Sequence, residues 1–496
     1  MKLRTGPRFR RLLGCLATLA AAAFAVAPTT ASAAPNDPLG HEGRWITDGQ
    51  GRVVTLHGFN MVNKRAPYYA TDLGFGEDDA RFLHRNGFNT IRLGVAWEGV
   101  EPEPGIYDQE YIDRIASEVE MLAEHDIHTL LDFHQDQWAS EFQGNGFPEW
   151  TILDDGLPRE PRSGFPLNYY RMPALQQAFD SFWENRAGPG GVGLQDRYAA
   201  AWQQVVERVR GLPGIVGYDL MNEPWPGSRL DCSSWEGCED FDRGPLADFN
   251  ERIIGAIREI DDDHLVWHEP LLPYDYGAQT YTADTGDDNA GFSFHLYCIG
   301  IPGFAGGESR PCDEVNPSVF EQADAVSERT GDALLMTEFG ANISTPGSIV
   351  EATRLADEHM IGWQEWEYDD NYSDQPGQAL VFDPSAPPRG ANVDRGRLEL
   401  LARPYPQLVA GTPKSWNFDP ETGEFELTYR TRGVTGKRFG SKATTRIAMP
   451  RLQYPDGYLV AVKGAAIRSQ PGARALRIEA RKGAKKVVLS VSPQSP

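Results

Sequence analysis

Basic residues are in short supply. The chain has 47 Lys and Arg against 71 Asp and Glu, a formal net charge of −24, and a nucleic-acid binder would need the opposite balance. Cysteine is scarce as well, with five in 496 residues. At this length, with 51 Gly, 36 Pro and 40% hydrophobic residues, the sequence is no mini-protein, coiled coil or collagen-like repeat. No His-Glu-x-x-His motif occurs and no cysteine spacing resembles a zinc ligand set, so neither a metal centre nor a cofactor is expected. The apolar run at 12–27 is shorter than the ~20 residues of a comfortable membrane span. Lys2, Arg4, Arg8, Arg10 and Arg11 precede it and Ala31-Ser32-Ala33 follows, the order of a secretory signal over 1–33 with cleavage near Ala33. The expectation is a secreted protein that begins near Ala34. Removing the signal takes Cys15 and leaves Cys232, Cys238, Cys298 and Cys312. An even number in an exported chain points to disulfides, and of three possible pairings nearness in sequence favours Cys232–Cys238 with Cys298–Cys312.

What is present is an alternation. Short apolar runs at 53–60, 90–97, 128–134, 215–221, 264–268, 291–297, 333–339 and 362–366 read as eight strands. Amphipathic segments lie between them: in 109–125, Tyr111, Ile112, Ile115, Val119 and Leu122 recur at helical spacing, and 197–209, 246–260, 317–330, 349–360 and 393–402 follow suit. Eight such repeats over roughly 350 residues fit an α/β chain closed into a (β/α)8 TIM barrel over 34–411, better than an open doubly wound sheet. After Pro404 the runs shorten, alternate and lose helical period, which predicts a C-terminal all-β sandwich over 412–496. That segment carries sixteen Lys and Arg against six Asp and Glu, a charge opposite to the barrel's.

A barrel of this kind keeps its chemistry at the C-terminal ends of its strands. The fourth run leads into Asn222-Glu223-Pro224 and the seventh into Thr337-Glu338-Phe339. A salt bridge would explain either Glu alone. Two of them, each at a strand end and 115 residues apart, read as the carboxylate pair of glycoside hydrolysis, in which one protonates the leaving oxygen and the other attacks carbon or activates water.

Further motifs surround this pair: Gly58-Phe59-Asn60 with Lys64, Val100-Glu101-Pro102-Glu103-Pro104-Gly105, Asp132-Phe133-His134-Gln135-Asp136, His295-Leu296-Tyr297, and Arg403-Pro404-Tyr405-Pro406. With these the chain resembles glycoside hydrolase family 5, and within it the bacterial endoglycoceramidases, which release intact glycans from glycosphingolipids. The resemblance implies a retaining mechanism with Glu223 as acid/base and Glu338 as nucleophile. It implies that Asn222 meets the sugar 2-hydroxyl, that Tyr297 donates to Glu338, that Arg92 supplies a fixed positive charge, and that His295 orients strand ends. Lys64, His134 and Asp136 would bind sugar hydroxyls and Trp366 would stack on the sugar face, whereas Trp363 belongs to the core. Glu365, Glu367 and the stretch 60–63 depart from the family pattern, which leaves glucosylceramide- and galactosylceramide-linked substrates both open.

An insertion at 137–173 is rich in aromatics, among them Trp138, Phe142, Phe147, Trp150, Phe165, Tyr169 and Tyr170. It either packs on the barrel or walls a ceramide channel. The basic β segment either packs on the acidic barrel or approaches a membrane or micelle surface. The acidic run 284–289 lacks the terminal Glu of a calcium loop and reads as a solvated turn. The expected partner is a glycosphingolipid substrate, with no nucleic acid, and the expected state is a monomer. An enzyme on soluble β-glucans and a catalytically dead glycan- or lipid-binding module are the competing readings.

Overall fold

The computed structural model describes residues 38–298, 310–340, 346–369, 377–440 and 442–494. The expected signal at 1–33 lies outside them. No helix among the described residues is long and apolar enough to cross a membrane. Eight parallel strands close a barrel: β1 (His57–Met61), β2 (Thr90–Val95), β3 (His128–Phe133), β4 (Ile215–Asp219), β5 (Leu265–His268), β6 (Ala290–Leu296), β7 (Ala333–Phe339) and β8 (Gly362–Glu365). Every one of their residues is buried, as strands covered on both faces require. The helices follow the sequence pattern. In Gln109–Glu124, Asp108 caps the first turn by accepting from the Tyr111 N–H, and Ile112, Ile115, Val119 and Leu122 form the buried stripe.

The first run divides. Val53–Val54 pairs antiparallel with Leu408–Val409, and the barrel strand starts only at His57. The apolar run is continuous because its two halves serve two cores: Val53 joins the β-domain core and Leu56 the barrel floor.

The β domain therefore reaches beyond 412–496. Its seven-stranded sheet runs Gly40–Glu42, Trp45–Thr47, Val53–Val54, Tyr405–Val409, Thr444–Ala448, Ala475–Ala480, Ala465–Ile467. Its four-stranded partner runs Thr412–Asp419, Glu424–Arg430, Lys486–Pro493, Tyr458–Lys463. Phe425, Leu427, Tyr429, Ile447, Leu476, Ile478, Val487 and Leu489 fill one core from both sheets. The boundary expected at 411/412 thus falls between two strands that both serve this domain.

This domain closes the N-terminal end of the barrel. Tyr405 stacks on His57 at the start of β1, 3.7 Å between ring centroids, and its hydroxyl donates to the Gly87 carbonyl at 2.8 Å. Leu408 joins Leu130, Val216, Leu265 and Leu335 in the floor. A second tie runs to helix Pro346–His359, where Asp357 pairs with Arg403 at 2.7 Å and accepts from the Trp416 indole at 2.7 Å. The basic segment packs on the N-terminal end of the barrel, away from the C-terminal strand ends.

Candidate active site

Arg92 organises the open end. Projecting from β2 into the barrel and fully buried, it contacts Asp132 on β3 (3.0 Å), Asp219 on β4 (2.9 Å), Glu269 after β5 (2.8 Å) and Glu338 on β7 (2.6 Å). It also donates to the side-chain oxygens of Asn60 (3.2 Å) and Asn222 (3.0 Å). Burial alone would lower its pKa, but these carboxylates outweigh burial and raise it. The guanidinium is a permanent cation whose planar fork fixes the directions of its partners.

Glu338 receives its aim from the backbone. Met336 pairs with Phe294 and Glu338 with His295, so Thr337 is an extra residue that re-directs the strand. One Glu338 oxygen takes the Arg92 bond, and the other accepts from the Tyr297 hydroxyl at 2.9 Å. Burial, together with the two glutamates, raises the pKa of Tyr297 and keeps that hydroxyl a donor.

Glu223 is built differently. Its backbone sits in the left-handed region at φ 46°, a conformation a non-glycine residue holds only when its surroundings over-determine it. Here they do: its N–H donates to Glu269 at 2.8 Å, and the Gln135 amide donates to the carbonyls of Asn222 (2.9 Å) and Glu223 (3.1 Å). Among the described residues, its carboxyl has one hydrogen bond, Oε1 at 3.2 Å from His295 Nδ1, while Oε2 is buried with no hydrogen-bond partner. Burial drives the Glu223 pKa well above the usual carboxylate range, assisted by Asp275 and Glu338 and opposed by the His295 hydrogen bond. One glutamate is held by an arginine and a tyrosine; burial disfavours charge on the other.

His295 joins them. Its Nδ1 is 3.2 Å from Glu223 Oε1 and 3.8 Å from Glu338 Oε2, which caps the gap between those oxygens at about 7 Å and excludes most of the wider range an inverting pair needs for its water. Nδ1 also lies 3.6 Å from Asp275 Oδ2, and Nε2 lies 3.3 Å from Glu269. Burial would lower the His295 pKa, but Glu269, Glu338 and Asp275 outweigh it and raise it well above the ordinary value.

The remaining predicted residues form a second group. Lys64 reaches Asp136 at 2.5 Å and lies 4.3 Å from the Trp366 ring centroid. His134 bridges Asp132 (2.7 Å) and Asp136 (3.2 Å), and its ring lies parallel to Trp366 at 5.5 Å. Burial lowers the His134 pKa less than the two aspartates raise it, leaving it at about 9. Asp136 is correspondingly held below the usual range, since Lys64 and His134 outweigh its burial. Asn222 accepts from Arg92 and donates to the Gln135 carbonyl at 3.0 Å. Trp363 is fully buried against His57. Glu365, one of the departures from the family pattern, faces away and is ion-paired with Arg397, whereas Glu367 is buried close enough to Lys64 for their charges to interact.

Apart from Arg92, which projects from the middle of β2, every predicted catalytic or sugar-binding residue lies at a C-terminal strand end or in the loop after it. The sequence reading missed Asn60, Asp219, Glu269 and Asp275. Glu269 had a signal, since His268-Glu269-Pro270 follows β5 as Asn222-Glu223-Pro224 follows β4. Asp275, within the short turn Leu272–Tyr276, had none. Both expected disulfides are formed, Cys232–Cys238 and Cys298–Cys312. Glu223, Asp275 and His295 place ligand-type atoms within 4.8 Å of one another. The cysteines beside Asp231 are consumed in a disulfide. In the acidic run, Asp287 pairs with Arg258 at 2.7 Å. Trp138, Phe142, Phe147 and Tyr169 of the insertion are fully buried and only Phe165 of its aromatics stands exposed, at 38%, so most of its aromatic side chains pack within the protein.

A closed barrel with two unlike carboxyl groups converging at its C-terminal rim defines a glycoside hydrolase. The chain belongs to glycoside hydrolase family 5. Residues 47–372 match the cellulase (glycosyl hydrolase family 5) model, and residues 403–492 match the glycoside hydrolase family 5 C-terminal domain. It is 35% identical over 462 residues to endoglycoceramidase I of Rhodococcus hoagii (strain 103S), covering 90% of this chain and 87% of that one. It is 28% identical over 449 residues to an endoglycoceramidase of Hydra vulgaris, covering 84% and 81%. Among solved structures, endo-glycoceramidase II from Rhodococcus sp. matches as its lactosyl-enzyme intermediate with a TM-score of 0.73 and 29% identity over 91% of this chain and 100% of that one, and as its ganglioside GM3 complex with a TM-score of 0.72, 28% identity and coverage of 91% and 99%.

Proposed function

We propose that this chain is a secreted, retaining endo-β-glycosidase that cuts between the oligosaccharide and the ceramide of glycosphingolipids. The observation that carries the reading is the asymmetry of the pair. Glu338, clamped by Arg92 and Tyr297, attacks the anomeric carbon, while Glu223, buried with an open Oε2, gives its proton to the leaving oxygen. The sugar carbon–oxygen bond breaks as the bond to Glu338 forms. Glu338 is then an ester and Glu223 a carboxylate, which takes a proton from water as that water displaces the ester. Asn222 and the Lys64, His134, Asp136 and Trp366 group hold the sugar. The aromatic ring takes its apolar face and the charged groups take its hydroxyls.

The names of the relatives support the lipid substrate, and the lactosyl-enzyme intermediate of the Rhodococcus structure supports retention. They favour a glucosyl-linked over a galactosyl-linked ceramide. Contact with a micelle or membrane surface belongs to the open rim, where Leu157 and Phe165 of the insertion and Leu230 of the loop after β4 are exposed, and not to the basic β domain at the far end. We expect export by the segment 1–33, and a mature amino terminus near Ala34 in culture medium checks it. The test of function is product analysis on a ganglioside beside carboxymethylcellulose. Intact oligosaccharide and ceramide from the first, with no cleavage of the second, is the expected result; stepwise monosaccharide release, or preference for the soluble glucan, overturns the reading.

A further inference from the structure

Four carboxyl groups surround one imidazole in this site, and three of them are accounted for. Glu223 and Glu338 react. Glu269 is occupied twice, accepting from Arg92 at 2.8 Å and from the Glu223 N–H at 2.8 Å, so its charge is offset by the guanidinium and its place is structural. The fourth, Asp275, is 3% exposed and is not among the partners of Arg92. Its Oδ2 is buried without a hydrogen-bond partner, 3.6 Å from the nitrogen that contacts Glu223. The residue is held in place from its backbone, whose carbonyl accepts from the Tyr297 N–H at 2.9 Å. It is therefore tied to the residue that aims the nucleophile.

We infer that Asp275 is a positioning residue for proton transfer, whose carboxylate faces the His295 ring and opposes negative charge on Glu223. The inference rests on the proposed roles of Glu223 and Glu338. Within the cycle the nucleophile's charge comes and goes: Glu338 is an anion in the free enzyme and an ester after attack. Its repulsion of charge on Glu223 then vanishes, which frees Glu223 to act as base. Asp275 takes no part in bond making; burial raises its pKa to about 6, and above that pH its charge sets the baseline on which that change operates. The groups facing Glu223 and His295 are Glu269 and Asp275 from the segment after β5, Tyr297 after β6 and Glu338 on β7, with Asp219 on β4, Tyr169 of the insertion and Tyr276 close enough for charge interaction. The tyrosines among them are held neutral by burial. Glu269 and Glu338 keep His295 protonated when Asp275 is neutralised, so the net effect of losing Asp275 is less repulsion at Glu223. The Glu223 pKa falls.

The experiment is the pH profile of kcat/KM for Asp275→Asn on an aryl lactoside whose leaving group needs its proton. The alkaline limb is expected to move down by roughly one pH unit, the acid limb to stay, and the rate on a lactoside with a highly acidic leaving group to stay within a few-fold. Asp275→Glu should return the limb part of the way. A purely structural role would lower both rates and leave the limb where it was, and that result overturns the inference. A second measurement needs no turnover: the Glu223 carboxyl band, taken as the infrared difference between enzyme and Glu223→Gln, titrates at lower pH when both carry Asp275→Asn. If the unaltered protein fails to cleave any lactoside, the proposed function falls, while an unmoved carboxyl titration defeats the role of Asp275 on its own.

Discussion

The two ends of one barrel make opposite use of the same eight strands. At the N-terminal end, Leu130, Val216, Leu265, Trp267 and Leu335 form an apolar floor, sealed by Leu408, with His57 stacked between Trp363 at 4.2 Å and Tyr405 at 3.7 Å. Both ring nitrogens of His57 are buried without a hydrogen-bond partner, and burial holds its pKa well below the usual value. At the C-terminal end the same strands present Asp132, Asp219, Glu338 and, just beyond, Glu223 and Glu269, gathered by Arg92 and His295. One end buries area and is stable; the other buries charge and is reactive. The lesson is that the closed floor lets the rim carry an arrangement that would not hold itself together, because uncompensated buried charge costs far more than one apolar contact returns.

The comparison can be broken first at the rim. Glu338→Gln and Glu223→Gln should each lower turnover of a lactosylated lipid by roughly 10³-fold or more with little change in melting temperature. With an aryl lactoside that needs no protonation, Glu223→Gln should recover much of the first step and Glu338→Gln none. Arg92→Met tests the dependence of one end on charge. It strands several carboxylates and should cost about 3–5 kcal/mol in denaturant unfolding, together with most of the activity. Leu335→Ala at the floor should cost about 2–5 kcal/mol while kcat per folded molecule stays near the parent value; equal loss of activity would erase the division between the ends.

The smallest effects sharpen the contrast through pH. His57 stays neutral in the fold, so the unfolded chain takes up a proton below about pH 6.5 that the folded protein refuses, and stability falls as pH drops through that value. His57→Phe keeps the stack and should flatten the acid side of a plot of melting temperature against pH. His134 behaves the other way. With its folded pKa raised to about 9, it adds stability that is complete below about pH 6.5 and lost as pH rises through about 9. His134→Gln should flatten the alkaline side.

How far these features could be read in the sequence depended on whether they were local. The barrel was legible because each strand is an apolar run and each helix an amphipathic one, as Gln109–Glu124 shows. The carboxylate pair was legible because each glutamate stands at the end of such a run. The start of β1 was not, because residues 53–56 are apolar for two cores at once and periodicity does not say where one ends. The β domain's reach to residue 40 was hidden for a related reason: Val53–Val54 meets Leu408–Val409 across more than 350 residues. Within the site, Lys64, His134, Asp136 and Trp366 were legible from their motifs, while Asp219, Glu269 and Asp275 were missed because their meaning lies in what they surround. Arg92 marked the place for the first two; nothing marked Asp275.

The central claim is that Glu338 makes a covalent bond to the sugar while Glu223 supplies the proton. Incubation with an activated 2-deoxy-2-fluoro lactoside, followed by peptide mass spectrometry, tests it most directly. The account requires a single lactosyl adduct on Glu338, formed in step with loss of activity and absent from Glu338→Gln. An adduct on another residue, or hydrolysis whose first product has the inverted anomeric configuration, would contradict it.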